Sequence, residues 1–192
     1  GHTVEIKSLP MLKASLAIYY TLMPSEVSTN LSRFDGIRFW QQGNTHDYPS
    51  LDQYYSAMRA KGFGEEAKRR ILLGTYILSS ANYESYYLKA LQAQKQLKSD
   101  FEDLFNNYDA VLTPTSPEVA RKIWEKWDNP LKSYLADLYT VPANLAGLPA
   151  ISVPMWTISH QEEELPTGLQ IIWPMRSDQT VLNMAQLIEK LS

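Results

Sequence analysis

Apolar positions recur at helical spacing through roughly the first half of the chain and give way to short apolar runs bracketed by proline and glycine in the second. Val4 to Pro10 alternates like a strand. From about Lys13 to Arg33, Leu16, Tyr19, Tyr20 and Met23 fall on neighbouring turns of a helix, with a kink or break expected at Pro24. Phe34-Asp35-Gly36 turns the chain, Gln41 to Asp47 reads as a polar loop, and Ser50 can cap a helix from Leu51 to Lys61. Gly62-Phe63-Gly64 separates it from a helix opening Glu65-Glu66 and running through Lys68-Arg69-Arg70 into Ile71 to Leu78; the acidic pair suits the helix dipole. Tyr83, Tyr87, Ala90, Leu91, Leu97, Phe101 and Leu104 form the packing stripe of one long helix, interrupted only at Gln94.

The second half reads differently. Ala110-Val111-Leu112, stopped by Pro114 and Pro117, predicts a strand that opens into a loop. Glu118 to Asn129 has no clean period, and Asp128-Asn129-Pro130 starts a helix. Asp137 to Pro154 reads as helix, stop, buried central strand, stop: Pro142 and Gly147 end the helix, and Pro149 and Pro154 bracket Ala150 to Val153. Gln161 to Glu164 suits a hairpin tip and Gly168 to Trp173 a further strand. Asp178 can cap a last helix, Gln179 to Leu191, with Val181, Met184, Ala185, Ile188 and Leu191 on its inner face. Helices followed by strands interleaved with helices give an α/β class.

Composition narrows the functions. At 192 residues and 44% hydrophobic the chain can bury a core. A net charge of -3 supplies no general field for nucleic acid or an anionic membrane. There is no cysteine, hence no thiolate nucleophile or disulfide framework, and no apolar run reaches the roughly 18 residues of a membrane span. Gly1-His2 reads as the remnant of a cleaved tag, with the chain cut from a larger protein.

Motif chemistry is sparse. His2, His46 and His160 are isolated, and no pair has metal-ligand spacing. Gly62 and Gly64 lack the third glycine and the lysine of a phosphate loop. Ser79-Ser80 has no base nearby and reads as an ordinary helix junction. Arg70 is accounted for by an i,i+4 pair with Glu66 of about 0.3 to 0.5 kcal/mol, and Asp137 by a boundary carboxylate.

A set of ordered segments changes that picture. Ser28 to Arg38, Gly62 to Tyr76, Tyr86 to Lys89, Leu112 to Thr115, Thr140 to Pro154 and Pro166 to Ile172 together resemble the C-terminal half of the amidase signature family, in its tRNA-dependent amidotransferase branch. The resemblance implies part of an α/β/α sandwich, with several helices around a short mixed sheet, spanning residues 1–192. It also implies a cytoplasmic or organellar enzyme component that frees ammonia from glutamine for a glutamyl- or aspartyl-tRNA. The B and C subunits of such an amidotransferase are the implied partners; B holds the tRNA and uses ATP and Mg, while this chain needs no cofactor. The family's catalytic lysine and two serines belong to an N-terminal signature that these residues lack, so the chain alone is expected to be inactive. By the same resemblance Arg70 falls at the arginine that binds the glutamine α-carboxylate, Asp137 at the aspartate that binds the α-ammonium, and Tyr19 at a tyrosine near the substrate. Met155-Trp156 and Trp173 stand where the family has small residues, which bears on contacts with the other subunits. A stand-alone amidase of the same family and a non-catalytic scaffold module are the alternatives. The first is disfavoured by a carboxylate clamp and an ammonium clamp occurring together.

Overall fold

The computed structural model describes residues 2–39, 43–124, 130–160 and 162–190, which divide into two compact units: Tyr20–Leu91, and Gly1–Tyr19 with Gln92–Ser192. Parts of the predicted Gln41 to Asp47 loop and of the Glu118 to Asn129 stretch, with Trp127, lie outside the described residues, as does Leu191. Val4 to Leu9 forms no strand among the described residues, and Val4 and Ile6 are exposed. Its alternation has no ladder to join.

Helix α1 (Ser15–Asn30) runs through Pro24 without stopping, between 3-10 turns at Pro10–Ala14 and Leu31–Arg33. Of the kink or break expected at Pro24, the break is absent: packing holds the helix through the proline. Pro24 is fully buried, and its carbonyl lies so close to Gly74 that a Cβ there would sit 1.9 Å from the oxygen.

In the unit of residues 20–91, α2 (Leu51–Gly62) starts as predicted, with the Ser50 hydroxyl accepting from Gln53 N at 3.3 Å. Buried Tyr54 donates through its hydroxyl to the Gly36 carbonyl at 2.6 Å. Arg59 Nη1 donates to the Leu31 and Phe34 carbonyls at 2.9 and 3.2 Å, so α2 fastens the turn that follows α1. Helix α3 spans Glu65–Ile77. Tyr83–Leu88 is π-helical rather than the first turns of an α-helix, and Tyr83 and Tyr86 are exposed. The packing stripe expected there begins only at Ala90.

Helix α4 (Lys89–Phe105) carries that stripe into the other unit, burying Leu97 and Phe101. Gln94, the residue that breaks its period, donates from Nε2 to the Leu145 carbonyl at 3.0 Å. The amide faces inward to satisfy a helix C-terminus that would otherwise keep an orphan acceptor.

Three strands follow: β1 (Val111–Pro114), β2 (Ala150–His160) and β3 (Glu163–Ile172), in the order β1-β3-β2. Both pairings are antiparallel, where a mixed sheet was expected. The α/β class stands, but the middle strand of this sheet is β3; Ala150 to Val153 lies on β2, at its edge. Both hairpin strands are longer than predicted. Pro154 pairs with Gly168 on an edge strand, and Pro166 pairs with Thr157 beyond the last β1 pairing, Pro114 with Leu169. Each proline therefore sits where no second ladder needs its missing N–H. Val153 and Ile171 on one face pack with Ala185 of the last helix (Asp178–Glu189, here α7), flanked by Ile151, Leu169, Trp173 and Ile188. Burying such side chains stabilises the unit by about 1.5 to 3 kcal/mol each.

Candidate functional site

Asp137 does not lie inside a helix. Helix α5 (Pro130–Leu135) ends before it and α6 (Val141–Ala146) begins after it, so Asp137 sits in the connecting turn. Pro142 opens α6 instead of ending the preceding helix, a place where a missing N–H costs nothing. Gly147 ends α6 in the left-handed region at φ 71°, as the sequence demands. The turn is tightly hydrogen-bonded: Asp137 N donates to the Tyr134 carbonyl at 3.3 Å, and the Asp137 carbonyl accepts from Thr140 N and Val141 N at 3.2 and 3.0 Å. The backbone that presents the carboxylate is thus fixed at both sides.

The second face of the sheet carries a polar row beside buried Ile172. Thr113, Gln170 and Ser152 lie side by side across β1, β3 and β2. Buried Gln170 donates from Nε2 to Thr113 Oγ1 at 2.9 Å and to the Tyr139 carbonyl at 2.7 Å, while Thr115 Oγ1 and Ser152 Oγ are 2.6 Å apart. Thr113, Thr115 and Ser152, though not Gln170, border a cavity of about 800 Å³ lined also by Trp156, Thr167 and Leu135; Ala136 and Tyr139 line it, though not Asp137 itself. At the cavity wall β2 bulges between Pro154 and Thr157, and Thr167 Oγ1 donates to the Trp156 carbonyl at 2.7 Å. An apolar pocket with convergent hydroxyls orients a small polar ligand.

Arg70 belongs to the other unit, on α3. Its Nε donates to Glu66 Oε1 at 2.9 Å, and its Nη1 lies 3.7 Å from Met23 Sδ on α1. Arg69 pairs with the same Glu66 carboxylate. The i,i+4 pair read from the sequence is therefore formed, and it fixes one edge of a half-buried guanidinium. In the turn after α1, the Asp35 carboxyl is held below the usual carboxylate range, chiefly by the Ile37 N–H at 2.8 Å. Tyr19 lies half-buried on α1. Asp137 and Tyr19 fall in one unit and Arg70 in the other.

Sequence reasoning missed Gln170, Ser152 and Thr115. A usable signal was present for Gln170: an amide interrupting Leu169, Ile171 and Ile172 must find partners once buried. Among the described residues no group of three or more His, Asp or Glu is placed to hold a metal ion, and no helix is long and apolar enough to cross a membrane.

Known proteins are similar to this chain in sequence and in fold. The chain is 45% identical over 190 residues to the A subunit of glutamyl-tRNA(Gln) amidotransferase from an Exiguobacterium strain, covering 99% of this chain and 38% of that protein. It is 46% identical over 189 residues to the Streptococcus mutans protein of the same name, covering 98% and 38%. The crystal structure of the Thermotoga maritima A subunit superposes with a TM-score of 0.64 at 40% identity, over 95% of this chain and 33% of that one. A solved amidase at 18% identity and a TM-score of 0.65 shares the fold. The chain thus spans well under half the length of these relatives. The Amidase family profile matches residues 1–182, nearly the whole chain, and the chain belongs to that family.

Proposed function

We propose that these residues form the glutamine-recognising part of the A subunit of a tRNA-dependent amidotransferase, acting with the B and C subunits. The observation that carries this reading is the similarity over almost the entire chain to proteins named as the A subunit of glutamyl-tRNA(Gln) amidotransferase. The chemistry fits. A planar guanidinium can grip an α-carboxylate through two parallel hydrogen bonds, and a carboxylate stabilises an α-ammonium. Glu66 orients Arg70 by holding its Nε. Asp137, on a turn locked by its own backbone hydrogen bonds, gains the rigidity that a positioning carboxylate requires. Tyr19 contributes to the same substrate environment.

The nucleophile comes from the glycine/serine-rich signature, with its lysine and two serines, that these residues do not contain. Ammonia released from glutamine would pass to a glutamyl-tRNA held by the B subunit, where ATP and Mg are used. The test is Arg70→Ala in the full-length protein within its complex. The KM for glutamine is expected to rise by about a hundredfold, while amidation from free ammonia stays near the parent rate. Equal loss with both nitrogen donors would reject the clamp.

A further inference from the structure

We propose that Gln170 is a positioning residue for the Asp137 carboxylate, and through it a determinant of selectivity for a substrate α-ammonium. The proposal rests on the reading of Asp137 given above, and on a contact that reading does not use. Gln170 lies on β3 with 4% of its surface exposed. A single amide nitrogen uses its two hydrogens on two elements: Thr113 Oγ1 of β1 at 2.9 Å and the Tyr139 carbonyl at 2.7 Å.

Tyr139 stands two residues from Asp137, inside the same turn. That turn closes on itself through Asp137 N to Tyr134 O and through Thr140 N and Val141 N to Asp137 O. It therefore moves as one piece. Gln170 pins that piece to the rigid middle strand, and Gln94 pins the far end of α6 at the Leu145 carbonyl. A donor is required at position 170. An apolar side chain would leave the Tyr139 carbonyl without the donor that ties it to β3, and a carboxylate would repel it. Either change lets the turn drift, and displacement of a binding group by about 1 Å weakens recognition by one to two orders of magnitude.

The experiment uses the full-length protein in its complex and compares ammonia release from L-glutamine with release from its des-amino analogue, 4-carbamoylbutanoate. Gln170→Met keeps the side-chain length and removes the donors; Gln170→Glu keeps the size and polarity and reverses the hydrogen bond. Both are expected to raise the KM for L-glutamine about tenfold or more, with kcat and the kinetics of the des-amino analogue within about twofold of the parent. Adding Gln170→Met to Asp137→Ala is expected to cause no further rise, because the two act on one interaction. If Gln170→Met fails to fold, Gln170→Glu carries the comparison. A glutamine KM unchanged by the Gln170 variants but raised by Asp137→Ala overturns the positioning role alone. Equal losses with both substrates also overturn it, since they mark a general packing defect. A glutamine KM indifferent to Asp137→Ala removes the ammonium-binding reading itself, and this proposal with it.

Discussion

At the scale of single residues, close approach decides more than chemistry does. Gly74 is where α3 touches α1, and an added methyl would meet the Pro24 carbonyl carbon at 2.5 Å and its oxygen at 1.9 Å. Neither atom belongs to a flexible side chain, so the two helices must separate. Gly74→Ala is expected to destabilise the chain by about 3 kcal/mol, an overpacking penalty read from the midpoint of urea unfolding. An unchanged midpoint would mean that the helices cross more loosely than these distances require. Arg70 lies one turn before Gly74 on α3, and its Nη1 lies 3.7 Å from Met23 Sδ on the same helix as Pro24. Glu66 completes the arrangement by holding both Arg69 and Arg70.

At the scale of elements, the turn from Asp137 and the short helix α6 act as one unit ended by Gly147. Its φ of 71° places it in the left-handed region, and an added Cβ would meet nothing closer than the Met175 methyl at 3.8 Å. Gly147→Ala therefore isolates the backbone term, with an expected loss of about 1 to 2 kcal/mol by calorimetric or denaturant unfolding. This cap was legible in the sequence, as were the Ser50 cap, the inner face of α7, the pairing of Arg70 with Glu66 and the approximate place of each strand. Two kinds of feature were not. The length of β2 was hidden because Pro154 read as a stop, and only the strand order shows that it stands on an edge strand. Pro24 likewise read as a kink or break, because sequence does not reveal that α3 packs across it. Gln94 and Gln170 were visible as interruptions of apolar patterns, yet their partners, the Leu145 and Tyr139 carbonyls, lie 51 and 31 residues away. A polar break in an apolar stripe announces a buried hydrogen bond without naming its partner.

At the scale of the whole molecule, each unit leaves large apolar side chains in solvent. Leu72 and Tyr76 of α3 are 72% and 56% exposed, and Trp156 on the β2 bulge is 59% exposed. These exposed side chains fit a chain that spans 38% of the length of its Exiguobacterium and Streptococcus relatives. With the nucleophile proposed to lie outside these residues, the purified 192-residue chain is expected to release no ammonia from glutamine above buffer. Coupled detection of glutamate provides the check, and sustained turnover by homogeneous material would contradict it.

The central claim is that Arg70 and Asp137 read opposite ends of the same amino acid. The most direct measurement is a crossed specificity assay on the full-length protein in its complex, using L-glutamine, its des-amino analogue and its decarboxylated analogue 4-aminobutanamide. Arg70→Ala is expected to lose the preference for glutamine over the decarboxylated analogue while keeping its preference over the des-amino one, and Asp137→Ala to do the reverse. If both variants lose both preferences alike, or neither loses any, the assignment of the two clamps is wrong.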